Sequence, residues 1–578
     1  MKKEYLHKPA VLKNPLMYQI IVFCWLLVVV YFNPRLFALL IGPENIFAKL
    51  AVILFTLLLD LFWFYAFFHL VTIAFSYFTN TISLNSLPAA VKKTDPLPGA
   101  ALLYTTCDDF KEAAVLSCIN QDYENYHTYI LDDSRDPDFI RKIDNFVRLY
   151  SQSVSIIRRK NKQGYKAGNI NNALGKLPDI TYFSISDADT ILPRDYIAKL
   201  RPYFNNPRIA FVQSKQVINP KQRSQFAQFL GYQISLHYEH YLKTKNKYGF
   251  VMFYGHGALM RRDVWQEIGG LPEIATEDLA YSMKIRAAGY AGVYAEEVTC
   301  LEEYPPTYRQ YRRRNEKWIR GTTECLLKFY PAFASSKHIS WIEKLDVFVC
   351  ALSLLLGLPF VALLMLVGII LPFFFYHFRF CGPMIQMPVI YHKNLWLTVG
   401  LKSNLFWTWD FFILLLVTLL SPILPAMIGF FHHPVKRGKY ILMYTFIFHA
   451  MQVVSAINLM SYLFSRSATF PVTGQKEVTD NSKGHAGGTR LWGNVKKFVS
   501  QPNANHHLIK AIEFVFAGIF IIIMLVTDNI WFLSFALGML IGLINLKFGF
   551  EHKLIQNITL LPLIITLFIV LMIGRTLQ

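Results

Sequence analysis

The sequence predicts an α/β domain inserted into an α-helical membrane domain, and three observations lead to this prediction. First, 53% of the 578 residues are hydrophobic, 17% are charged and the mean hydropathy is +0.31, values typical of a polytopic membrane protein. Second, one long polar block, residues 98–330, interrupts the apolar runs. Third, strand-like and helix-like segments alternate within that block, which is typical of a mostly parallel sheet.

The apolar runs predict membrane helices on both sides of the polar block, because about 20 apolar residues cross the hydrocarbon of a bilayer. The candidates are 17–41, 47–76, 345–376, 406–431, 438–463, 510–527, 529–548 and 556–574. The predicted domains are N-terminal membrane helices (1–97), the polar domain (98–330), membrane and interfacial helices (331–464), a loop and linker (465–509) and C-terminal membrane helices (510–578). The basic start of the chain is followed by no small-residue cleavage site, so we expect no cleaved signal peptide.

Charge predicts the orientation of these helices. The basic clusters at 309–320, 436–439 and 496–497 are expected in the cytoplasm. If 438–463 crossed the bilayer, the basic loop after it would lie outside, so we interpret this segment as an interfacial helix. His449, Gln452, Ser455 and Asn458 give it one polar side, and an ordinary crossing is the alternative.

This orientation places the N-terminus and the polar domain in the cytoplasm of a multi-pass protein of the inner or plasma membrane. It also accounts for the formal net charge of +20 through basic loops, and the chain carries no nucleic-acid-binding motif. The seven cysteines include no C-x-x-C pair, so neither a zinc site nor a disulfide framework is indicated.

Two apolar strands of the polar block end in carboxylates. Residues 127–131 lead into Asp132-Asp133, and residues 182–185 lead to Asp187. Further strands are predicted at 101–104 and 154–157, with helices at 111–120 and 166–174. Because ligands of open α/β sheets collect at the carboxyl ends of the strands, we expect a nucleotide beside Asp133 and Asp187.

Asp187-Ala188-Asp189 offers two carboxylates on a short turn, and Mg²⁺ is typically held by one or two carboxylates together with phosphate oxygens. An Asp-x-Asp sequence alone is more typical of a solvated turn, but its position after an apolar strand and among the other motifs favours the metal site. Lys166, Gly168 and Asn169 open a helix whose start suits a phosphate. An ordinary helix start with asparagine caps is the alternative.

Thr276-Glu277-Asp278 supplies the candidate catalytic group. Transfer of a glycosyl unit needs a base for the acceptor hydroxyl, and a positioned carboxylate such as Asp278 can serve. The same three residues are also typical of a helix cap followed by acids in the first turn.

A basic and aromatic cluster follows at Arg313, Arg314, Lys317, Trp318 and Arg320. Its cations would stabilise a departing diphosphate, and its tryptophan would stack on a sugar ring. A juxtamembrane helix that binds lipid headgroups is the alternative of equal weight.

Taken in order, these motifs resemble the D, DxD, TED, QxxRW signature of processive family 2 membrane glycosyltransferases such as bacterial cellulose synthase. Lys166-Ala167-Gly168-Asn169 is similar to the KAGN stretch of that family. Residues 470–476 are similar to its FxVTxK gating loop, with one residue added before the lysine. The resemblance extends over about 98–476 and implies a catalytic domain of the GT-A type.

The resemblance implies a role for each matching residue. Asp133 would contact the uracil, Asp187 and Asp189 would hold the diphosphate with Mg²⁺ or Mn²⁺, and Asp278 would be the base. The acceptor sugar would be bound by Trp318, Tyr254, His256 and Arg313. The gating loop would contain Phe470, Val472, Thr473 and Lys476. The remaining contacts to the donor would come from Lys166, Gly168, Asn169, Arg314 and Lys317.

The implied activity is inverting, processive synthesis of an exported polysaccharide from a UDP-sugar, with UDP-glucose favoured. Accessory secretion or regulatory subunits, or a homo-oligomer, would accompany it. Arg314 and Lys317 replace the Gln and Arg of QxxRW, and the stretch from Phe253 to Gly257 replaces FFCGS, which leaves the identity of the polymer open. The alternatives are single-sugar transfer to a lipid carrier and a transporter or scaffold with an inactive transferase domain.

Overall fold

The computed structural model describes residues 13–41, 45–79, 97–177, 180–374, 409–428, 433–466, 505–527 and 531–548, together with Pro562 and Ile564. Within the polar block the chain forms a single mixed sheet. Its seven strands are β1 (Ala100–Thr106), β2 (Tyr126–Asp132), β3 (Val154–Arg158), β4 (Tyr182–Ser186), β5 (Ile209–Ile218), β6 (Ala258–Arg261) and β7 (Ala291–Glu302).

The strand order is β3-β2-β1-β4-β6-β5-β7. The first four strands run parallel to one another and contain the four predicted strands, so this half of the prediction is confirmed. β6 runs antiparallel to both of its neighbours, and β7 runs parallel to β5. The sheet is therefore more mixed than the sequence predicts.

The helices surround this sheet and extend beyond it. They are α1 (Leu16–Phe37), α2 (Ile46–Phe78), α3 (Glu112–Ile119), α4 (Pro137–Leu149), α5 (Tyr165–Leu174), α6 (Tyr196–Leu200), α7 (Gln225–Leu236), α8 (Lys243–Tyr248), α9 (Arg262–Glu267), α10 (Glu277–Ala287), α11 (Tyr308–Lys328), α12 (Tyr330–Ser335), α13 (Trp341–Ser353), α14 (Gly357–Met365), α15 (Leu371–Phe374), α16 (Trp409–Leu420), α17 (Leu424–Ile428), α18 (Pro434–Ser465), α19 (Asn505–Thr527) and α20 (Trp531–Phe548).

Both faces of the sheet are covered, as buried parallel strands require. Successive residues of β1 alternate between two cores: Ala101 and Leu103 pack on one side, and Ala100 and Leu102 pack on the other. With both faces closed, the strand ends are the part of the sheet that remains open to a ligand.

Six helices among the described residues are long and apolar enough to cross a membrane. They are Leu16–Leu40, Ile46–Phe78, Gly357–Phe374, Asp410–Ile428, Arg437–Ser465 and Ile509–Val526, and a shorter apolar helix covers Phe532–Phe548. These helices confirm a multi-pass membrane protein. The predicted span 556–574 lies outside the described residues, apart from Pro562 and Ile564.

Two predicted membrane segments differ in detail from the structure. The candidate 345–376 begins too early, because 345–353 belong to α13, which packs on the α/β domain through Asp346. The candidate 438–463 is part of the continuous helix α18, which lies against α11 of the polar block through a bond from Arg320 to Asn458. Its interfacial placement remains a prediction.

Asp346 joins the membrane helices to the α/β domain. Its carboxylate pairs with Lys245 and accepts hydrogen bonds from the Tyr18 hydroxyl of α1 and, at 2.6 Å, from the amide of Phe250. The Asp346 side chain is 1% exposed and that of Lys245 is 6% exposed. Removing one partner would leave the other charge buried and uncompensated.

We therefore expect Asp346→Ala to lower the free energy of unfolding by about 3–5 kcal/mol. The unfolding midpoint in mixed detergent micelles with increasing dodecyl sulfate measures this change. Asp122→Ala is the control, because Asp122 forms an exposed pair with Arg194 that contributes about 0–1 kcal/mol. Equal midpoints for the two variants would contradict a joining role for Asp346.

Candidate active site

The carboxyl ends of β2, β1 and β4 lie side by side and form the floor of the candidate site. Thr106 is level with Asp132 across the β1–β2 pair, and Tyr104 is level with Ser186 across the β1–β4 pair. The Thr105 hydroxyl donates to Asp187 Oδ1 at 3.2 Å, and the Asp133 amide donates to the Thr106 carbonyl at 3.0 Å. The end of β1 therefore brings the predicted Asp133 and Asp187 to one edge of the sheet.

Arg159 holds the Asp133 carboxylate. Its Nε lies 3.0 Å from Oδ1, and its Nη2 lies 2.7 Å from Oδ2. The same Nη2 donates to the Tyr165 carbonyl at 2.8 Å, and Lys162 Nζ donates to the carbonyls of Asp133 and Ser134. Sequence reasoning missed Arg159 and Lys162, although both lie in the basic turn just before the KAGN-like stretch. Their contacts fix the orientation of Asp133.

Lys166 connects the two halves of the site. Its Nζ pairs with Asp187 and donates to the Gly255 carbonyl at 2.8 Å. Burial alone would lower the pKa of Lys166, but Asp187 and Glu277 raise that pKa above its usual value. Lys166 is therefore a fixed cation where the sequence predicts the diphosphate.

The other two residues of this motif are buried at the start of α5. A methyl group on Gly168 would lie 2.3 Å from the Gln163 carbonyl, so the turn that carries Arg159 requires a glycine here. Asn169 is 3% exposed, and its Oδ1 has no hydrogen-bond partner among the described residues. The structure thus gives Gly168 a packing role, and a contact of either residue with the donor remains a prediction.

Asp187 and Asp189 have opposite electrostatic environments. Burial would raise the pKa of Asp187, but Lys166 and His256 outweigh it and hold that pKa below its usual value. Burial and the neighbouring Asp187 raise the pKa of Asp189 to about 6. Asp189 thus bears a carboxylate whose charge is poorly compensated.

This pair of carboxylates fits a divalent cation that is completed by the donor. No group of three or more His, Cys, Asp or Glu side chains within the described ranges is arranged to hold a metal ion. Two carboxylates with diphosphate oxygens are nevertheless a donor set that Mg²⁺ accepts. Asp189 would be the principal ligand, because Asp187 already pairs with Lys166.

Tyr254 and His256 lie on the loop before β6, beside the Asp-x-Asp turn. His256 Nε2 lies 3.0 Å from Glu302 Oε2, and its Nδ1 lies 3.1 Å from the Thr190 hydroxyl. Burial would lower the pKa of His256, but Asp187 and Glu302 raise it. Tyr254 bonds to His237 Nε2 at 2.9 Å. These contacts hold both side chains in place, and their role in binding the acceptor remains a prediction. Sequence reasoning missed Glu302, which lies at the end of β7.

Asp278 lies next to Lys166 across Gly255. A methyl group on Gly255 would lie 3.7 Å from Asp278 Oδ2 and 3.9 Å from Lys166 Nζ. Asp278 Oδ1 accepts from the Leu279 amide at 2.8 Å, which leaves Oδ2 toward the site. Burial and the neighbouring Glu277 raise the pKa of Asp278 to about 7. A carboxylate with this pKa is suited to general-base catalysis near neutral pH.

Thr276 joins Asp278 to the basic helix α11. Thr276 occupies the N-cap position of α10 but makes no capping bond. Its hydroxyl instead donates to the Gly321 carbonyl of α11 at 2.8 Å. The alternative that Thr276 caps the helix through its side chain is therefore wrong, and its hydroxyl fixes the distance between α10 and α11.

α11 presents the predicted donor and acceptor residues to the site. The Arg314 guanidinium lies 4.5 Å from the centroid of the Trp318 ring. The charge of Lys317 acts to lower the pKa of Asp278, against the stronger effects of burial and Glu277. Burial lowers the pKa of Arg314, and Glu302 and Asp189 oppose that effect. Arg314 Nε is buried and has no hydrogen-bond partner in the part of the chain that the structure describes.

Two other residues of the cluster and the gate complete the predicted set. Arg313 is half-buried on α11, and Arg320 donates a hydrogen bond to Asn458 of α18. The predicted gating residues Phe470, Val472, Thr473 and Lys476, and most of the linker after them, lie outside the described residues.

Comparison with known proteins assigns this arrangement to a family. Residues 182–458, which run from β4 to α18 and include Asp187, Asp278 and Trp318, match the family model described as Glycosyl transferase family group 2. Residues 182–458 therefore belong to family 2 of the glycosyltransferases, and the long apolar helices around them are those of a membrane protein. The chain's mixed sheet of seven strands, flanked by long apolar helices, is a GT-A-like fold.

The family 2 chain is also similar to curated plant proteins. It is 26% identical over 229 residues to "Probable glucomannan 4-beta-mannosyltransferase 6" of Oryza sativa subsp. japonica, and this match covers 37% of this chain and 39% of the relative. It is 24% identical over 223 residues to "Probable glucomannan 4-beta-mannosyltransferase 1" of Arabidopsis thaliana, and this match covers 37% of this chain and 40% of the relative. The matches thus span about two fifths of these relatives.

Among solved structures, the family 2 chain is similar to the mannosyltransferase PcManGT from Pyrobaculum calidifontis, in complex with GDP-Man and Mn²⁺. The TM-score is 0.41 with 16% identity, and the match covers 56% of this chain and 86% of that protein.

Proposed function

We propose that this glycosyltransferase is an inverting, processive enzyme that polymerises a hexose from a nucleotide sugar and exports the polymer through its own membrane helices. The observation that supports the proposal most strongly is that Lys166 pairs with Asp187 and also lies beside Gly255, where Asp278 Oδ2 is found. A fixed cation, a carboxylate on the turn that would hold the metal ion, and a carboxylate with a pKa of about 7 are the groups that such a transfer needs.

In this mechanism the acceptor hydroxyl oxygen attacks the anomeric carbon of the donor while the bond from that carbon to the diphosphate breaks. The hydroxyl proton passes to Oδ2 of Asp278, and the electron pair leaves with the diphosphate. Lys166 and Lys317 stabilise the charge on the departing diphosphate, and Trp318 holds the acceptor sugar. One displacement and one base suffice, so the configuration at the anomeric carbon inverts.

A divalent cation, Mg²⁺ or Mn²⁺, would neutralise part of the diphosphate charge when bound at Asp189 and Asp187. Arg159 keeps the Asp133 carboxylate fixed at the end of β2, where the nucleobase is expected.

The arrangement of α18 supports processive synthesis. α18 packs on α11 through Arg320 and Asn458, and the gating-loop motif at 470–476 follows it in the sequence. A helix that contacts both the acceptor-binding helix and the other membrane helices is suited to pass a growing chain from the site to a channel. In this proposal the catalytic domain lies in the cytoplasm, and the polymer leaves on the outer side of the cell membrane.

The donor is the least constrained part of the proposal. The resemblance to cellulose synthase favours UDP-glucose, and the names of the plant relatives favour mannose as a second sugar. Asp133 and its partner Arg159 would contact the base in either case.

The test uses the full-length protein purified and reconstituted in proteoliposomes. UDP-[¹⁴C]glucose and GDP-[¹⁴C]mannose are supplied separately and together with Mg²⁺ or Mn²⁺, and the products are sized and linkage-analysed. We expect a β-linked polymer of many residues from at least one donor. Addition of a single sugar to a lipid, or no incorporation from either donor, would reject the proposal.

A further inference from the structure

α11 has two functional faces. Arg314, Lys317 and Trp318 recur at three- and four-residue spacing and face the active site. Arg312, Glu316 and Arg320 recur at four-residue spacing and form a second stripe, which lies toward α18 and α19. Because both stripes belong to one helix, contacts that fix the second stripe also fix the rotation of α11 and its position along its axis, and so the placement of the first stripe.

The second stripe contains a buried ionic contact with the C-terminal membrane helices. Arg312 Nη1 lies 2.8 Å from Glu513 Oε2 of α19, and Arg312 Nε lies 3.0 Å from Glu316 Oε1. The side chains of Arg312 and Glu513 are 4% and 3% exposed. A pair this deeply buried holds α11 and α19 at one separation.

Glu513 stands within an apolar helix segment, Ile509–Val526, that is long enough to cross a membrane. A carboxylate in such a segment is costly and usually has a functional reason. A buried ion pair contributes little net stability compared with apolar residues of the same shape. The value of Glu513 therefore lies in geometry rather than in stability.

Other contacts hold the same helix from the same side. The Arg309 guanidinium donates to the Leu546 carbonyl of α20, and Arg320 Nε donates to Asn458 Oδ1 of α18 at 2.9 Å. α19 and α20 thus hold the first half of α11, and α18 holds the second half.

We infer that Glu513 is a positioning residue, which acts through Arg312 to keep Lys317 and Trp318 aligned with the donor and the acceptor. The inference rests on the proposed glycosyl transfer and gives the C-terminal helices a part in it. When α11 shifts, the donor still binds through Lys166 and Asp187, but the acceptor hydroxyl is misplaced. A displacement of about 1 Å can slow a positioned reaction by about a hundredfold. Water then competes with the acceptor for the anomeric carbon.

The test measures hydrolysis against transfer in the reconstituted protein. Nucleoside diphosphate release and sugar incorporation are recorded in parallel for wild type and Glu513→Gln. We expect the variant to raise the ratio of diphosphate released to sugar incorporated by at least about tenfold. The donor KM should stay within about threefold of wild type, because Lys166 and Asp187 lie on other elements and Lys317 acts mainly on the charge that develops as the diphosphate departs. A loss of folded protein lowers both rates equally and leaves the ratio unchanged.

Glu324→Gln is the matched control, since it removes a carboxylate–lysine pair from the same helix and should leave the ratio at the wild-type value. The exchange Arg312→Glu with Glu513→Arg should restore a low ratio when Glu316→Gln is added, because Glu316 would otherwise repel the new carboxylate at position 312. If Glu513→Gln leaves the ratio of diphosphate released to sugar incorporated unchanged, the inference is overturned. It is also overturned if that ratio stays raised in a folded protein in which the charges at positions 312 and 513 are exchanged. Absence of sugar transfer by wild type would instead reject the proposed function.

Discussion

Replacing Asp278 by asparagine is expected to lower the rate of glycosyl transfer by about a hundredfold to ten-thousandfold, the usual contribution of a general base. Asparagine keeps the size of the side chain but cannot take the proton of the acceptor hydroxyl. Because Asp278 Oδ1 is engaged by the Leu279 amide and Oδ2 lies beside Gly255, the lost group is the one directed at the reaction. Initial rates of sugar incorporation in proteoliposomes measure the effect.

The same residue predicts the pH dependence of the wild-type enzyme. Burial and Glu277 raise the pKa of Asp278 to about 7, and the base acts only when it is deprotonated. We therefore expect kcat to rise with pH through about 7 and to be lost as the pH falls below that value. Glu277→Gln removes the neighbouring charge, so it should lower the pKa of Asp278 and move the midpoint of the profile to lower pH.

Asp122→Asn is the control for this result, because Asp122 lies before β2, at the other edge of the sheet, in an exposed pair with Arg194. It should retain wild-type rates at every pH. An Asp278→Asn protein that transfers sugar at the wild-type rate, or a wild-type profile that is flat between pH 6 and about 8, would remove Asp278 from the mechanism.

Asp189→Asn should produce the second large effect, a weaker response to divalent cations. Burial and Asp187 raise the pKa of Asp189 to about 6, so its carboxylate gains most from a bound cation. We expect chelation to abolish transfer and Mg²⁺ or Mn²⁺ to restore it. In the variant, the cation concentration for half-maximal activity should rise at least about tenfold, because only Asp187 remains and it is shared with Lys166.

Asp195→Asn provides the comparison, since Asp195 follows the same turn and forms a half-exposed pair with Lys199. Titrations of activity against Mg²⁺ for the two variants isolate the role of Asp189. Transfer that persists in excess chelator, or equal cation requirements in both variants, would exclude a metal at this turn.

Much of the site could be predicted because it depends on local pattern. β2 and β4 are short apolar runs, and each is followed directly by an aspartate. Two parallel strands on either side of a third must present their carboxyl ends at one edge, so Asp133 and Asp187 were expected together. Lys166 and Asp278 follow from motifs with a recognisable order.

The remaining contacts join residues that are distant in sequence and carry no local signal. Arg159 reaches Asp133 because the turn before α5 folds back, and Glu302 reaches His256 because β7 lies at the far end of the sheet. The antiparallel strand β6 has only four residues, too few for a periodic pattern. Arg312 and Glu513 are 201 positions apart in the chain, and their contact depends on the packing of α11 against α19.

The most direct test of the account is the location of the polymer made in the proteoliposomes. With the catalytic domain facing outward and nucleotide sugar supplied outside, the labelled polymer should resist an added glycosidase until detergent opens the vesicles. The Asp278→Asn protein should make none. Polymer that the added glycosidase degrades without detergent would contradict export through the chain's own helices. Polymer formed by the Asp278→Asn protein would contradict the role of Asp278 as the catalytic base.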